Sequence, residues 1–107
     1  MAQQLVDKRD LDFVLWEQFG NEEILQHDKY DSFNKKTVDM MLTEARKIAI
    51  KELLPTMADF DRDAVDYKDG VVTVPEYLRP IFELLREGEW GNLIEPVEEG
   101  GQGAPQF

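Results

Sequence analysis

The sequence predicts an all-α fold: an incomplete up-down helical bundle with a short β-hairpin-like turn and an irregular Gly-rich C-terminal tail. Two apolar stripes and one turn dipeptide carry that expectation. Val38, Met41, Leu42, Ala45, Ile48, Ala49 and Leu53 recur at spacings of three and four, which places them on one side of a long helix. A second stripe, Tyr77, Leu78, Ile81, Phe82, Leu84 and Leu85, marks another core-forming helix. Between them Asp69-Gly70 supplies the positive backbone angles that a tight two-residue turn requires.

In chain order, the first helix is expected to start near Asp10, whose carboxylate can accept from free first-turn N–H groups, and to end at Gly20. Phe13, Trp16 and Phe19 give it an aromatic side that must lie on other residues. Asn21 is a candidate cap for a short turn carrying Ile24 and Leu25, with Glu22 and Glu23 in its first turn, where acids are favourable. The polar stretch from His27 to Ser32 reads as a loop.

The long helix is expected to be capped by Asn34. Pro55 lacks a backbone donor and crowds the preceding turn, so the helix stops or kinks there. Met57, Ala58 and Phe60 keep an apolar side going beyond it. Tyr67 and Val71 to Val74 suit a small hairpin, which is marginal alone and so is expected to pack on helices. Thr73 and Glu76 stand at capping-box spacing with Pro75 between them, and the helix that follows, with Pro80 near its start, runs to Gly88. The chain then turns at Trp90-Gly91, and Glu95 to Phe107 has no periodicity, as in a loop or a frayed tail.

At 107 residues the chain has room for one modest core. Twelve basic and 23 acidic residues leave a formal charge of −11, which argues against nucleic acid or an anionic membrane as partner, because phosphate binding is dominated by Lys and Arg. The absence of cysteine excludes disulfides and zinc-thiolate sites. No apolar run approaches a membrane span and Met1-Ala2-Gln3-Gln4 carries no leader signature, so a cytoplasmic location is expected.

Asp59, Asp61 and Asp63 alternate as calcium ligands do, but an EF-hand loop needs Gly at its sixth position for the bend and Glu at its twelfth to close the shell. Those positions hold Ala64 and Gly70, so the three acids read as structural or solvated. His27, the single histidine, has Asp28 beside it but no nucleophile in reach of the pattern, and reads as exposed. Gly100-Gly101-Gln102-Gly103 follows Glu95, Glu98 and Glu99, whose charge opposes a phosphate, and it opens no helix. Flexibility for a sharp chain crossing is the simpler role for these glycines. Trp16, Phe13, Phe19, Phe82 and Tyr77 read as core; Trp90, in the turn leading to the glycines, is the aromatic most suited to line a pocket.

Taken in order, Leu11-Asp12-Phe13-Val14-Leu15-Trp16-Glu17, Glu52-Leu53-Leu54-Pro55 with Asp61-Arg62, Asp69-Gly70-Val71-Val72-Thr73-Val74-Pro75, and Gly88-Glu89-Trp90-Gly91-Asn92-Leu93 followed by Glu98-Glu99-Gly100-Gly101-Gln102-Gly103-Ala104-Pro105 form a series. That series resembles the N-terminal helical domain of bacterial FAD-dependent acyl-CoA dehydrogenases over residues 5–107. The resemblance implies an N-terminal extension with short helices at 1–30 and a partial dehydrogenase helical domain at 31–107. It implies a parent that removes an α-proton of an acyl-CoA with a glutamate, transfers a β-hydride to FAD and is reoxidised by an electron-transfer flavoprotein. No catalytic, flavin-binding or metal residue of that family maps onto this sequence, so no cofactor is expected on the chain alone and FAD belongs to the parent. The resemblance makes Trp90, Gly100, Gly101 and Gly103 the candidate substrate-pocket or domain-contact loop. The expected partners are the parent's remaining domains and, through an uncovered helix face, a second copy in a homo-oligomer. The alternative reading is a stand-alone acidic helical protein-interaction module.

Overall fold

The computed structural model describes residues 5–63 and 65–107, which leaves Met1 to Gln4 and Ala64 outside the described residues. Of the described residues 62 % are helical, and one two-stranded antiparallel sheet accompanies the helices. The chain divides into two compact units: Met1–Ala45 with Asn92–Phe107, and Arg46–Gly91.

In the first unit, α1 (Lys8–Asp12) starts two residues earlier than the sequence suggests. Asp7, in extended conformation, accepts from the amides of Arg9 and Asp10, so Asp7 is the cap and Asp10 lies inside the first turn, where its charge still favours the helix N-terminus. The helix widens into a π segment at Phe13–Gln18, closed by the Phe19 amide on the Val14 carbonyl. Gly20 follows at φ +59° and ends it. Asn21 is buried, but its backbone carbonyl, rather than its side chain, receives the Ile24 amide. The turn at Ile24–Gln26 is a 3₁₀ turn with no side-chain cap, and it buries Leu25. Residues 27–32 include a further 3₁₀ turn, Asp28–Tyr30, where a plain loop was expected.

Helix α2 (Lys35–Ile48) starts at Asn34 as the sequence indicates: the Asn34 side chain accepts from the Thr37 amide at 2.9 Å and its carbonyl accepts from Val38 at 3.0 Å. Val38 and Ile48 are the buried members of its stripe, and Leu53 is exposed.

In the second unit, Pro55 changes the pitch of the helical path without ending it. A π segment (Ala49–Leu53) precedes a 3₁₀ turn (Leu54–Thr56), and α3 (Met57–Arg62) follows. The missing proline N–H breaks the regular ladder, and the Thr56 hydroxyl donates to the Leu53 carbonyl at 2.8 Å. Strands β1 (Asp66–Lys68) and β2 (Val71–Thr73) pair antiparallel, Tyr67 opposite Val72, around Asp69 and Gly70 at φ +51° and +81°. That turn is the one its dipeptide calls for. All six strand residues are exposed, so the hairpin is not covered by helices to the extent expected.

The capping box is not formed either: Thr73 pairs within β2, and the 3₁₀ turn Glu76–Leu78 has no side-chain cap. Helix α4 (Arg79–Glu87) begins with Pro80 in its first turn. Ile81 is buried at 8 % exposure whereas Phe82 is 67 % exposed, so the second stripe is wider than the surface that covers it, and Phe82 is not core. Leu84 is exposed as well. Gly88 caps α4 at φ −78°; the left-handed residue is Glu89 at φ +56°. Glycine at 88 has a different reason, since an added Cβ would stand 2.7 Å from the Trp90 indole nitrogen.

Candidate functional site

The four residues singled out by sequence fall in different units. Trp90, in the second unit, begins a 3₁₀ turn, Trp90–Asn92, and lies half-buried against Gly88. Gly100, Gly101 and Gly103 belong to the first unit, where residues 92–104 fold into a closed loop. After the 3₁₀ turn Val97–Glu99 the chain reverses at Gly100, φ +88°. It then runs back along its own beginning: the amides of Gln102, Gly103 and Ala104 donate to the carbonyls of Asn92, Glu95 and Leu93 at 3.1, 2.9 and 2.8 Å. The Asn92 side chain donates to the Gly100 carbonyl at 2.9 Å. A Cβ on Gly101 would collide with the Glu95 carbonyl, and Gly103 takes φ +65°. Two glycines therefore have separate requirements, close approach at 101 and a left-handed backbone at 103. The segment is an ordered compact loop rather than a frayed tail.

This loop does not fit a flavin or nucleotide phosphate. The amides of Gly100, Gly101, Gln102 and Gly103 are each taken by a carbonyl of the same loop, so none is left to face an anion. One side of the loop, with Lys29 and Tyr30, forms a hollow of about 430 Å³ lined also by Ile94, Val97 and Ala104. Its lining is mixed, with Glu98 among it and the Lys29 ammonium 5.5 Å from the Tyr30 ring centre.

His27 serves the local backbone, since its Nδ1 accepts from the Lys29 amide at 3.2 Å and caps the turn Asp28–Tyr30. Asp59 pairs with Arg62, and Gly70 lies in the hairpin turn. Among the described residues no three metal-ligating side chains converge.

Sequence reasoning missed a polar node in the first unit. The Trp16 indole donates to Asp39 Oδ1 at 3.1 Å, and Lys35 Nζ donates to Asp39 Oδ2 at 2.9 Å while lying 5.0 Å from the Trp16 ring centre. Phe107 packs edge-on to the same indole, centroids 6.0 Å apart. The hydrogen bond and the nearby carboxylates raise the Lys35 pKa above its ordinary value. The Lys35–Asp39 spacing of four was visible in the sequence; the partner 23 positions away was not.

A second missed feature is the Tyr77 hydroxyl, buried in the second unit with no hydrogen-bond partner among the described residues. Burial raises its pKa, and the carboxylates of Asp63 and Asp59 add to the shift. Among the described residues no helix is long and apolar enough to cross a membrane. No family model matches the sequence, and no curated protein matches it.

Proposed function

We propose that this chain works by packing against further polypeptide, as the N-terminal helical part of an FAD-dependent acyl-CoA dehydrogenase, and that it is inactive alone. The observation that carries the reading is uncovered apolar surface. No large side chain is fully buried among the described residues, while Phe82, Met40 and Phe19 are each about two-thirds exposed at 67, 64 and 65 %. Large apolar side chains left this exposed support a reading in which further polypeptide covers them. In the parent, these helices form an incomplete up-down bundle that later helices and a β-domain complete. The closed loop at 92–104 serves as a wall or domain contact near the acyl chain, and Trp90 is a separate candidate for the same role. FAD supplies hydride acceptance in that enzyme, and the residues that hold it lie in other segments. The parent converts an acyl-CoA to the 2-enoyl-CoA and passes electrons to an electron-transfer flavoprotein. The ordered series of motifs through Pro105 supports this family.

The test is to isolate the native protein from its source with an antibody raised against this chain. The expected species is several times heavier than 12.4 kDa, yellow, and bleached by acyl-CoA under anaerobic conditions. A colourless species of 12.4 kDa would instead favour a stand-alone acidic interaction module. The open hairpin edge is the observation on the side of that second reading.

A further inference from the structure

Hairpin β1–β2 has two unlike edges. In a two-residue hairpin the pair flanking the turn is the hydrogen-bonded one, so Lys68 with Val71 and Asp66 with Thr73 exchange bonds. The N–H and C=O of Tyr67 and Val72 then point outward, one residue on each edge, and among the described residues nothing takes them up. On the β1 edge, charged Asp66 and Lys68 flank Tyr67, the usual guard against strand addition. The β2 edge, Val71-Val72-Thr73-Val74, is uncharged and rich in β-branched residues.

Alternation places Val72 and Val74 on one face, and both line an apolar groove of about 500 Å³ with Leu78 and Phe82. The groove's two charges, Glu76 and Arg79, satisfy each other at 3.2 Å, and the guanidinium holds the Glu76 carboxyl below its ordinary range. The groove thus offers no net charge to a charged ligand.

We infer that the β2 edge is a self-association surface, on which a second copy of this chain adds its own β2 antiparallel, centred on Val72. Three observations select this occupant. An exposed two-stranded ribbon lacks the further strand or packing that makes such ribbons stable. Val72 presents one donor and one acceptor outward, which an antiparallel copy of itself matches about a two-fold axis. At −11, two copies repel over most of their surface, and the β2 edge is a place where they meet with no charge on either side. The product is a four-stranded sheet, β1-β2-β2-β1, with Val72, Val74 and Phe82 of both copies on one side. It differs from association through helix faces and does not rest on the dehydrogenase reading.

Sedimentation equilibrium of the full chain, from low to several hundred micromolar, tests the inference together with Val72→Pro and Val72→Lys. Proline removes the outward N–H, a change an edge strand tolerates, and lysine sets two like charges opposite each other. The expected result is a reversible monomer–dimer equilibrium in the wild type, with a dissociation constant raised about tenfold in Val72→Pro, which deletes two hydrogen bonds between copies, and severalfold in Val72→Lys. Circular dichroism checks that helix content is retained, and if one variant misfolds the other decides. A wild type that stays monomeric at the highest concentration, or a dimer equally tight in the folded variants, overturns the inference.

Discussion

The indole of Trp16 and the carboxylate of Asp39, 23 residues apart, meet in a hydrogen bond of 3.1 Å that joins the π segment to α2 in the first unit. Asp39 also receives Lys35, and Lys35 lies over the indole, so one carboxylate organises an aromatic ring and a cation together. The Lys35–Asp39 pair on its own, both side chains being about a third or more exposed, contributes little. The indole bond holds the aromatic side of the first helix in register.

Trp16→Phe keeps most of the ring and deletes that bond. A loss of about 1–2 kcal/mol is expected in denaturant unfolding, typical of a hydrogen bond to a charged acceptor in a half-buried place. Asp39→Asn, which retains an acceptor oxygen, should lose less than Asp39→Ala. Equal losses in both would show that the indole bond is not what Asp39 contributes.

Ile81 and Phe82 are neighbours with opposite environments, and the substitutions should separate them. Ile81→Ala removes buried methyls and should cost about 2–4 kcal/mol. Phe82→Ala, measured where the chain is monomeric, should stay within about 0.5 kcal/mol of the wild type. The reverse order would mean that Phe82 is core after all.

That pair also marks the limit of what was legible beforehand. Periodicity identified α2 and α4, Asn34 supplied a readable cap, and Asp69-Gly70 specified its own turn, because each depends on residues a few positions apart. Periodicity finds an apolar side but not how much of it is covered, so Phe82 and Leu84 read as core although Phe82 is largely and Leu84 partly exposed. The choice of Asp7 over Asp10 as cap was hidden because both acids suit the first turn, and only the extended backbone at Asp7 decides. The closed loop at 92–104 showed as glycines without a partner; the Glu95 carbonyl that Gly101 must clear is a matter of three-dimensional path.

Gly101→Ala should open that loop. The added Cβ collides with the Glu95 backbone, whereas Gly91→Ala points into open space and serves as control. A destabilisation of about 1–3 kcal/mol is expected for the first, with faster hydrogen exchange at the Gly103 and Ala104 amides, and near neutrality for the second. Unchanged exchange in Gly101→Ala would refute the close approach.

Tyr77 should ionise late on alkaline titration, since burial and the carboxylates of Asp63 and Asp59 oppose its phenolate. Its folded pKa lies above the unfolded value of 10.0, so the stability linked to it is complete below that pH and is lost as pH rises through the folded pKa. Because its hydroxyl has no partner among the described residues, Tyr77→Phe should leave stability unchanged or raise it, and should remove the late phase of phenolate absorbance. A late phase that persists in the variant would reassign it to another tyrosine.

The claim that other polypeptide covers this chain's apolar surface is tested most directly by its methionines. Met40 and Met57 are exposed at 64 and 57 %, and half-buried Met41 is an internal reference. Peroxide oxidation followed by mass spectrometry, run on the isolated chain and on native protein taken from its source, compares the same residues in both settings. The account predicts rapid oxidation of Met40 and Met57 relative to Met41 in the isolated chain and strong protection of at least one of them in the native protein. Equal oxidation rates at both positions in the two preparations would contradict it.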